Sequence, residues 1–464
     1  MIEQITSKLR KLVQFFAAQG LTMAGNLLYG LLCVRLLPSS EYAKFVVIFG
    51  VQGTLLILMD TNFSSTLIPL IGERVHDRKL ISDYVASLRQ LSMWSYGIIG
   101  VGAVFCYPYL TKNRHWGLST VAGMVVILLL STWFMRISSA YGAVLILLGE
   151  RPVWYQGQLI SSLGTLTILG VFWAFSWVGA FQAILINVAG IIFVGIFYFY
   201  RARTLLGGTG ISTMDKRRAI IHLALPNVPQ AIFYALQGQI SLFLITYFGH
   251  STGIASVGAL GRLGQIFALF IQANSLLVEP YFAKLHRSRL KKHYAVALLV
   301  VAAVSLALFS LSLQAPQLLL WALGPQYSGL NYEVKLVMAA GAISCFSSVL
   351  WCIHAARRFV FWWNVILSIL LTLVVEIAFI FEADMGTVRA VLWLNLSTNA
   401  VSLFVNILSG AYGFLKGPRD AEKLPIVSDE VLEAESSLNL YSLTTATSPV
   451  EAQTVVVHTE PEHL

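Results

Sequence analysis

Charged residues are scarce in this chain of 464 residues: Asp, Glu, Lys and Arg make up 11% of it, whereas hydrophobic residues make up 57%. A soluble globular domain carries about 25% charged residues. Two stretches, 152–200 and 219–261, contain no charged residue. Each is too long for one bilayer crossing of about 20 apolar residues and suits two crossings joined by a short turn. The composition therefore indicates a membrane protein and excludes a soluble enzyme, a nucleic-acid-binding domain and a disulfide-stapled secreted domain.

Cysteine is also scarce, and its spacing fits neither a metal site nor a redox motif. The four cysteines, Cys33, Cys106, Cys345 and Cys352, lie in apolar stretches, so we expect four buried small side chains. A catalytic triad and a nucleotide-binding loop are absent as well. The sequence therefore predicts a protein that is not an enzyme, with no catalytic residue, no metal site and no cofactor.

The apolar runs, separated by charged or Gly/Pro-rich breaks, predict an all-α polytopic membrane protein with about 12 transmembrane helices. The predicted helices lie at about 12–36, 42–72, 90–111, 118–149, 154–176, 179–200, 219–249, 252–282, 293–314, 331–356, 359–381 and 387–414. A further short piece, Leu318 to Gly324, is predicted to be re-entrant or interfacial.

A Gly-rich and basic segment, 201–218, divides these helices into six and six. We predict an N-terminal lobe over 1–200, a cytoplasmic linker over 201–218 and a C-terminal lobe over 219–415, with the two lobes around a central cavity. From residue 416 onwards the chain turns polar and acidic, with 3 basic and 9 acidic residues and no periodic apolar face. Residues 416–464 are therefore predicted to form a disordered cytoplasmic tail.

The basic residues of the loops give the orientation of the helices. With the N-terminus in the cytoplasm, 23 basic residues fall in cytoplasmic segments and 5 fall outside. The outer set is Arg35, Lys44, Lys112, Arg114 and Arg389. This asymmetry follows the positive-inside rule and predicts that both termini are cytoplasmic.

Several residues resemble the opening of the polysaccharide-biosynthesis flippases, the O-antigen-type lipid-linked oligosaccharide translocases of the multidrug/oligosaccharidyl-lipid/polysaccharide exporter superfamily. That family pattern has an Arg-Leu pair, then Tyr-Gly, then Asp-Gly near the end of helix 2. Here the chain has Arg35-Leu36, Tyr42-Ala43 and Asp60-Thr61, so both glycines are replaced. The second half adds Pro226 in helix 7 and Arg262 between Gly258 and Gly264 in helix 8.

This resemblance implies a flippase of the bacterial cytoplasmic (inner) membrane that moves a polyprenyl-pyrophosphate-linked oligosaccharide by alternating access, for cell-surface polysaccharide biosynthesis. Its partners would be the lipid-linked glycan, the bilayer and a polysaccharide polymerase or export machinery, with no nucleic acid. Two alternatives stay open: a drug or organic-cation antiporter of the same superfamily, and a membrane glycan polymerase or ligase. The antiporter should present carboxylates to its cavity, and the polymerase should carry a large outer loop with catalytic residues.

Charges inside predicted helices are the candidate functional residues, because a charge near the bilayer centre costs about 2.5–3.5 kcal/mol on insertion scales. Arg136 and Arg262 suit the pyrophosphate, since guanidinium groups bind phosphate oxygens in bidentate fashion. Arg35 is a third candidate for this role, with interfacial anchoring as its alternative. Asp60 and Glu376 are expected to bind a coupling H⁺ or Na⁺, or to form buried ion pairs.

Two further sets of residues are predicted to serve transport. Pro226 and Pro229 free backbone groups within helix 7 and are predicted to form a hinge. Amide and phenol side chains are expected to meet sugar hydroxyls, with interhelical hydrogen bonds as the alternative. This set is Asn26, Gln52, Tyr234, Gln237, Gln239, Gln265, Gln272 and Asn274.

The charge asymmetry makes the topology testable with reporter fusions. A reporter fused after Gly417 should be active only as a cytoplasmic marker, and one placed near Ser251 or Pro325 only as an extracytoplasmic marker. Activity of an extracytoplasmic reporter at the C-terminal position would mean an odd number of crossings.

Overall fold

A computed structural model of the chain describes residues 2–60, 63–71, 74, 76–114, 116–208, 210–225, 228–274, 278, 281–282, 285, 287–357, 359 and 361–416. The regular elements within these residues are all helical. The chain is therefore an all-α membrane protein, as its apolar runs predict. Of the predicted tail, 416–464, only Lys416 lies within the described residues, where it ends the last helix.

The first half of the chain folds into a bundle that we call the N-lobe. Its helices are α1 (Ile2–Leu36), α2 (Ser39–Asp60), the short α3 (Leu67–Ile71), α4 (Arg78–Thr111), α5 (Leu118–Leu147), α6 (Arg151–Ala174) and α7 (Ala180–Leu206).

The second half begins with α8 (Met214–Ala224), which packs against α3 and α4 of the N-lobe. The helices that follow form the C-lobe: α9 (Val228–Gln237), α10 (Ile240–Phe248), α11 (Ser251–Ala273), α12 (Arg287–Gln314), the short α13 (Pro316–Leu323), α14 (Asn331–Ala356), α15 (Trp362–Glu382) and α16 (Val388–Lys416).

Ten helices of the described chain are long and apolar enough to cross a membrane, and the bent pair α9–α10 passes the same test only when its two helices are taken together. Helix α1 contains the first predicted crossing, 12–36. Helix α13, with eight residues, rises only about 12 Å at 1.5 Å per residue and cannot span the bilayer. These helices fit the two-lobed architecture that the sequence predicts.

Helix 2 was predicted to run unbroken over 42–72, and this is wrong. Helix α2 ends at Asp60, and a 3-10 turn over Ser64–Thr66 separates it from α3. The Asp60 carboxylate accepts hydrogen bonds from the backbone N–H of Ser64 at 3.1 Å and from the Ser64 hydroxyl at 2.6 Å. A side-chain acceptor of this kind competes with the helical backbone pattern and ends the helix.

Helix 7 was predicted as one piece over 219–249 and is instead broken twice. Helix α8 ends at Ala224 and α9 begins at Val228, and α9 and α10 meet at Gly238 with a bend of 46°. Pro229 lies in the first turn of α9, where its missing N–H breaks no helical hydrogen bond. Pro226 lies outside the described residues, so the hinge stays a prediction.

The lobes pack against each other mainly through α1 and α2 on one side and α9, α10 and α11 on the other. Buried apolar side chains from both lobes form one cluster there, including Tyr29, Phe45, Ile254 and Leu263. Gly258 of α11 allows a close approach, since a Cβ at this position would lie 2.3 Å from Cγ2 of Val46. The interface is therefore a tight apolar contact between helices.

One cysteine departs from expectation. Cys33, Cys345 and Cys352 are buried, but Cys106 is exposed. Its neighbour Phe105 is 72% exposed, so this part of α4 presents apolar side chains outwards. Apolar context alone does not separate a core position from one that faces lipid, because lipid tails are as apolar as a protein core.

The contact of Gly258 with Val46 predicts opposite effects for two similar substitutions on α11. Gly258→Ala should lower the thermal unfolding midpoint in detergent, because overpacking costs about 1–3 kcal/mol. Gly261→Ala, with no atom within 4 Å of the added Cβ, should leave it unchanged or raise it, since Ala is favoured over Gly in helices by about 0.5–1 kcal/mol. Equal midpoints for the two variants would contradict the packing described here.

Candidate functional site at the lobe interface

Arg262 occupies the seam between the two lobes. It lies eleven residues into α11 from Ser251, about 16 Å along the helix and near the middle of a 30 Å hydrocarbon core. Its side chain is only 6% exposed. The guanidinium carbon lies 4.6 Å from the ring centroid of Phe49 and 5.7 Å from that of Phe45, both on α2. A C-lobe cation is thus enclosed by N-lobe rings.

The positive charge of Arg262 has no carboxylate partner in the described part of the chain. The ion pairs found there are Lys44–Glu41, Lys216–Asp83 and Arg389–Glu333. The polar contact of Arg262 is with Oε1 of Gln265, at the long distance of 3.5 Å. Cation–π attraction to the two rings offsets part of the desolvation, by about 2 kcal/mol at desolvated sites. The site therefore has a positive potential, which a bound anion would neutralise.

A glycine of α1 makes room for this guanidinium. A Cβ added at Gly30 would lie 2.9 Å from Cδ and Nε of Arg262. Nothing in the sequence marks Gly30 as part of a site, although it lies five residues before Arg35 in the motif region. Because a glycine in a long apolar helix has many uses, only the packing across the lobes reveals this role.

Arg136, the second predicted phosphate ligand, lies elsewhere. It projects from α5 towards α4, where its Nη1 donates to the Ser92 hydroxyl at 3.1 Å and to the Arg89 carbonyl at 3.3 Å. Its guanidinium carbon lies 4.2 Å from the centroid of Trp133. All of these contacts belong to the N-lobe. The structure thus gives Arg136 and Arg262 separate surroundings, and their joint action on one pyrophosphate stays a prediction.

The two candidate ion-coupling carboxylates are also apart from the arginines. Asp60 is bonded to Ser64 and to the Ser139 hydroxyl of α5, at 3.2 Å from its Oδ2. Glu376 is buried in α15, and its Oε1 has no hydrogen-bond partner. Neither carboxylate forms an ion pair within 4 Å in the described chain. The ion-pair alternative for these two residues therefore finds no support in the described contacts.

Glu376 ends a polar stripe along α15. The buried residues of this helix are spaced by four and are all polar: Asn364, Ser368, Thr372 and Glu376. Side chains at this spacing lie on one face of a helix. Asn364 donates to the Ser409 hydroxyl of α16 at 3.0 Å, so the stripe faces α16.

The first two residues of this stripe, Asn364 and Ser368, line a cavity of about 390 Å³ inside the C-lobe. Hydroxyl and amide side chains from α14, α15 and α16 line it, together with the aromatic residues Tyr234 and Trp351. The hydroxyl and amide residues are Ser344, Ser347, Ser348, Asn364, Ser368, Asn399, Ser402 and Asn406. No charged residue of the described chain is among its lining. Of the side chains predicted to meet sugars, Tyr234 is therefore placed in a neutral polar cavity.

Polar contacts at the predicted extracytoplasmic ends hold the lobes together. Arg35 donates to the Trp321 carbonyl at 2.9 Å, and its guanidinium carbon lies 4.7 Å from the Trp321 ring centroid. The Gln326 amide donates to the Val34 carbonyl at 2.8 Å. Arg114 reaches the carbonyls of Gly249 and Tyr247. The structure is therefore closed on this side, and closure uses the guanidinium of Arg35.

Three solved transporter structures match the chain over most of its length. An inward-facing multidrug resistance transporter of the MATE family in the MOP superfamily has a TM-score of 0.60 at 13% identity, covering 85% of this chain and 94% of that chain. The lipid II flippase MurJ in an inward closed conformation has a TM-score of 0.62 at 13% identity, covering 94% of both chains. An outward-facing MATE transporter scores 0.53 at 16% identity, covering 86% and 93%.

The chain has the fold of these transporters. No protein-family model and no curated protein sequence matches it, and at identities this low the likeness is one of fold.

A cross-linking experiment tests whether the lobes are closed on this side. In a Cys106→Ser background, Ser39→Cys and Gln326→Cys should be joined by a short bifunctional maleimide, because Oγ of Ser39 lies 3.2 Å from Oε1 of Gln326. A protease site inserted at Gly208 allows the readout, since cross-linked halves stay together after cleavage. Each single cysteine serves as a control. Separation of the halves in the double variant would contradict closure on this side.

Proposed function

We propose that this protein moves a polyprenyl-pyrophosphate-linked oligosaccharide across the bacterial cytoplasmic membrane by alternating access between the lobes. The observation that carries the proposal is the uncompensated charge of Arg262 at the lobe interface. A phosphate group is the natural complement of a buried guanidinium, because two parallel N–H donors match two phosphate oxygens.

The sign of the charge at the seam favours this substrate over an organic cation. A cation exporter needs a carboxylate where its substrate binds, whereas the buried ionised group between the described faces of the lobes is an arginine. Asp60 ends α2 and binds Ser139 of α5, and Glu376 belongs to α15, so each carboxylate lies within a single lobe. The solved MurJ structure is that of a lipid II flippase, so this fold accommodates a lipid-linked substrate in at least one protein.

The neutral cavity of the C-lobe supplies the chemistry that sugars require. Hydroxyl and amide groups both donate and accept hydrogen bonds, as sugar hydroxyls do. Trp351 and Tyr234 add aromatic surface to the lining of the same cavity. We assign this cavity to part of the glycan and the Arg262 site to the pyrophosphate.

Asp60 and Glu376 are the proposed coupling residues. An ion biases the inward–outward equilibrium only if it binds the two states with different affinity. Asp60 lies at the broken end of α2, next to Ser64 and Ser139, where movement of α2 against α5 would change its ligands. Glu376 offers a buried oxygen atom without a partner to a proton or to Na⁺.

Arg35 is proposed to act at the opening step. Its guanidinium binds Trp321 in the closed state, and separation of the lobes would free it for the departing pyrophosphate. A polymerase or export complex would then receive the glycan outside the membrane. The protein itself is proposed to carry out no chemical step.

Flipping of a lipid-linked oligosaccharide in reconstituted vesicles tests the proposal. Arg262→Ala should reduce the initial rate at least about ten-fold, because loss of a charged hydrogen-bonding partner costs about 1.5–3 kcal/mol. Arg262→Lys should restore part of the rate, since it keeps the charge and loses the planar fork. Arg151→Ala is the matched control: it removes an exposed arginine of α6 in the N-lobe that forms no ion pair within the described chain.

Two outcomes would contradict the proposal. One is an Arg262→Ala variant that is folded, as judged by its thermal midpoint, and flips at the wild-type rate. The other is transport of a lipophilic cation by the wild-type protein without flipping of the glycan lipid, which would support the drug-exporter alternative. An imposed pH or Na⁺ gradient extends the assay: Asp60→Asn should remove the response to the gradient while substrate binding persists.

A further inference from the structure

Two adjoining cavities lie inside the N-lobe, away from the seam between the lobes. The inner one measures about 110 Å³ and the outer one about 470 Å³. Both are lined by Arg89, Met93, Tyr141 and Phe199, so together they occupy the space between α4, α5 and α7. The proposed transport function makes no use of this space.

Arg136 forms the deep end of the inner cavity. Its side chain is 6% exposed, and its Nε is buried without a hydrogen-bond partner. The Ser92 hydroxyl and the Arg89 carbonyl engage Nη1, and Trp133 covers one face of the guanidinium. A donor of this buried cation is thus left unsatisfied beside an open space.

Two more arginines line the path outwards. Arg89 borders both cavities, and Arg203 borders the outer one. The described chain places no carboxylate within 4 Å of Arg89, Arg136 or Arg203. Asp83, next to Ser82 of the outer wall, already binds Lys216 at 2.5 Å and the backbone N–H of Ile211 at 2.8 Å. Three like charges around one space therefore lack a counter-ion from the protein.

The segment after α7 forms one end of the outer cavity. Gly210 is pressed against α4, because a Cβ there would lie 2.0 Å from the carbonyl carbon of Ser82. Gly208 and Ser212 line the cavity beside it. This basic segment is the one that the charge asymmetry places on the cytoplasmic side.

The depth of the arginines matches a lipid headgroup. Arg136 lies 18 residues after Leu118, the first residue of α5, which corresponds to about 27 Å along the helix. A hydrocarbon core is about 30 Å thick, so Arg136 lies near its cytoplasmic boundary. Met93, which lines both cavities, is 45% exposed, and its neighbour Trp94 is 68% exposed. The space therefore adjoins a surface of α4 that faces the bilayer.

We infer that this space is a binding site for the phosphate of an anionic phospholipid from the cytoplasmic leaflet, with Arg136, Arg89 and Arg203 as its ligands. Basic pockets between transmembrane helices on the cytoplasmic side bind such headgroups. The acyl chains would lie along Met93 and Trp94. A soluble phosphate offers the same chemistry to the arginines, but it would make no use of the apolar surface beside them.

Native mass spectrometry of the full-length protein from a neutral detergent tests the site. Phosphatidylglycerol is the anionic probe, phosphatidylcholine the probe without net charge, and inorganic phosphate the soluble source. The wild-type protein should retain phosphatidylglycerol at concentrations at which phosphatidylcholine dissociates, and millimolar phosphate should not displace it. Arg136→Gln should weaken phosphatidylglycerol binding about ten-fold or more, and Arg136→Lys should restore part of it.

Arg203→Gln keeps the test decisive if Arg136→Gln fails to fold, because Arg203 is exposed and its removal leaves the packing intact. This variant should also weaken phosphatidylglycerol binding. Arg151→Gln is the matched control, since Arg151 is an exposed arginine on α6 outside both cavities. This variant should bind phosphatidylglycerol as well as the wild-type protein does. Equal retention of the two lipids, displacement by phosphate alone, or unchanged binding in Arg203→Gln would each overturn the assignment.

Discussion

An arginine without a counter-ion, held in an apolar seam, is the constraint around which the two lobes are arranged. Burying the Arg262 charge is expensive in a medium without water, and here it is offset by aromatic faces rather than by a carboxylate. The rings come from α2 and the space comes from Gly30 of α1, so the N-lobe provides the surroundings of a C-lobe charge. In the proposed transport cycle, separation of the lobes exposes this charge to the substrate between them.

Polar chemistry is distributed unevenly over the described chain. A cation lies at the seam, hydroxyl and amide groups line a cavity within the C-lobe, and the carboxylates of Asp60 and Glu376 lie within single lobes. A carrier of lipophilic cations would be expected to place a carboxylate at the seam. This arrangement suits a substrate with an anionic linking group and a neutral polar headgroup, because each of these two parts would meet protein groups of complementary chemistry.

The fold could be predicted from the sequence because few backbone structures can span a bilayer. Backbone groups in hydrocarbon must be satisfied internally, so apolar runs of sufficient length become helices. The interruptions at Asp60 and Gly238 were missed, because composition does not show that one carboxylate will bind Ser64 or that a Gly between two glutamines will bend a span.

The candidate site was likewise predicted in part and missed in part. Buried charges such as Arg262 and Glu376 were evident from their rarity, but their neighbours were not. Whether Arg136 faces the other lobe or its own depends on the rotation of α5, which an almost uniformly apolar helix does not reveal. In contrast, the four-residue spacing of Asn364, Ser368, Thr372 and Glu376 is visible in the sequence and would have indicated the C-lobe cavity.

The same stripe has a consequence for how the protein is made. Helix α15 buries only polar residues, so as a lone helix in the membrane it would present Asn364, Thr372 and Glu376 to lipid. Five residues separate the end of α15 from the start of its partner α16, and Ser409 of α16 accepts a hydrogen bond from Asn364. Burial of these polar side chains therefore favours insertion of the two helices together, as a hairpin in which the polar face of α15 already contacts α16. The last steps of biogenesis thus depend on α16 being complete, which ties correct insertion of the C-lobe to synthesis of nearly the whole membrane region.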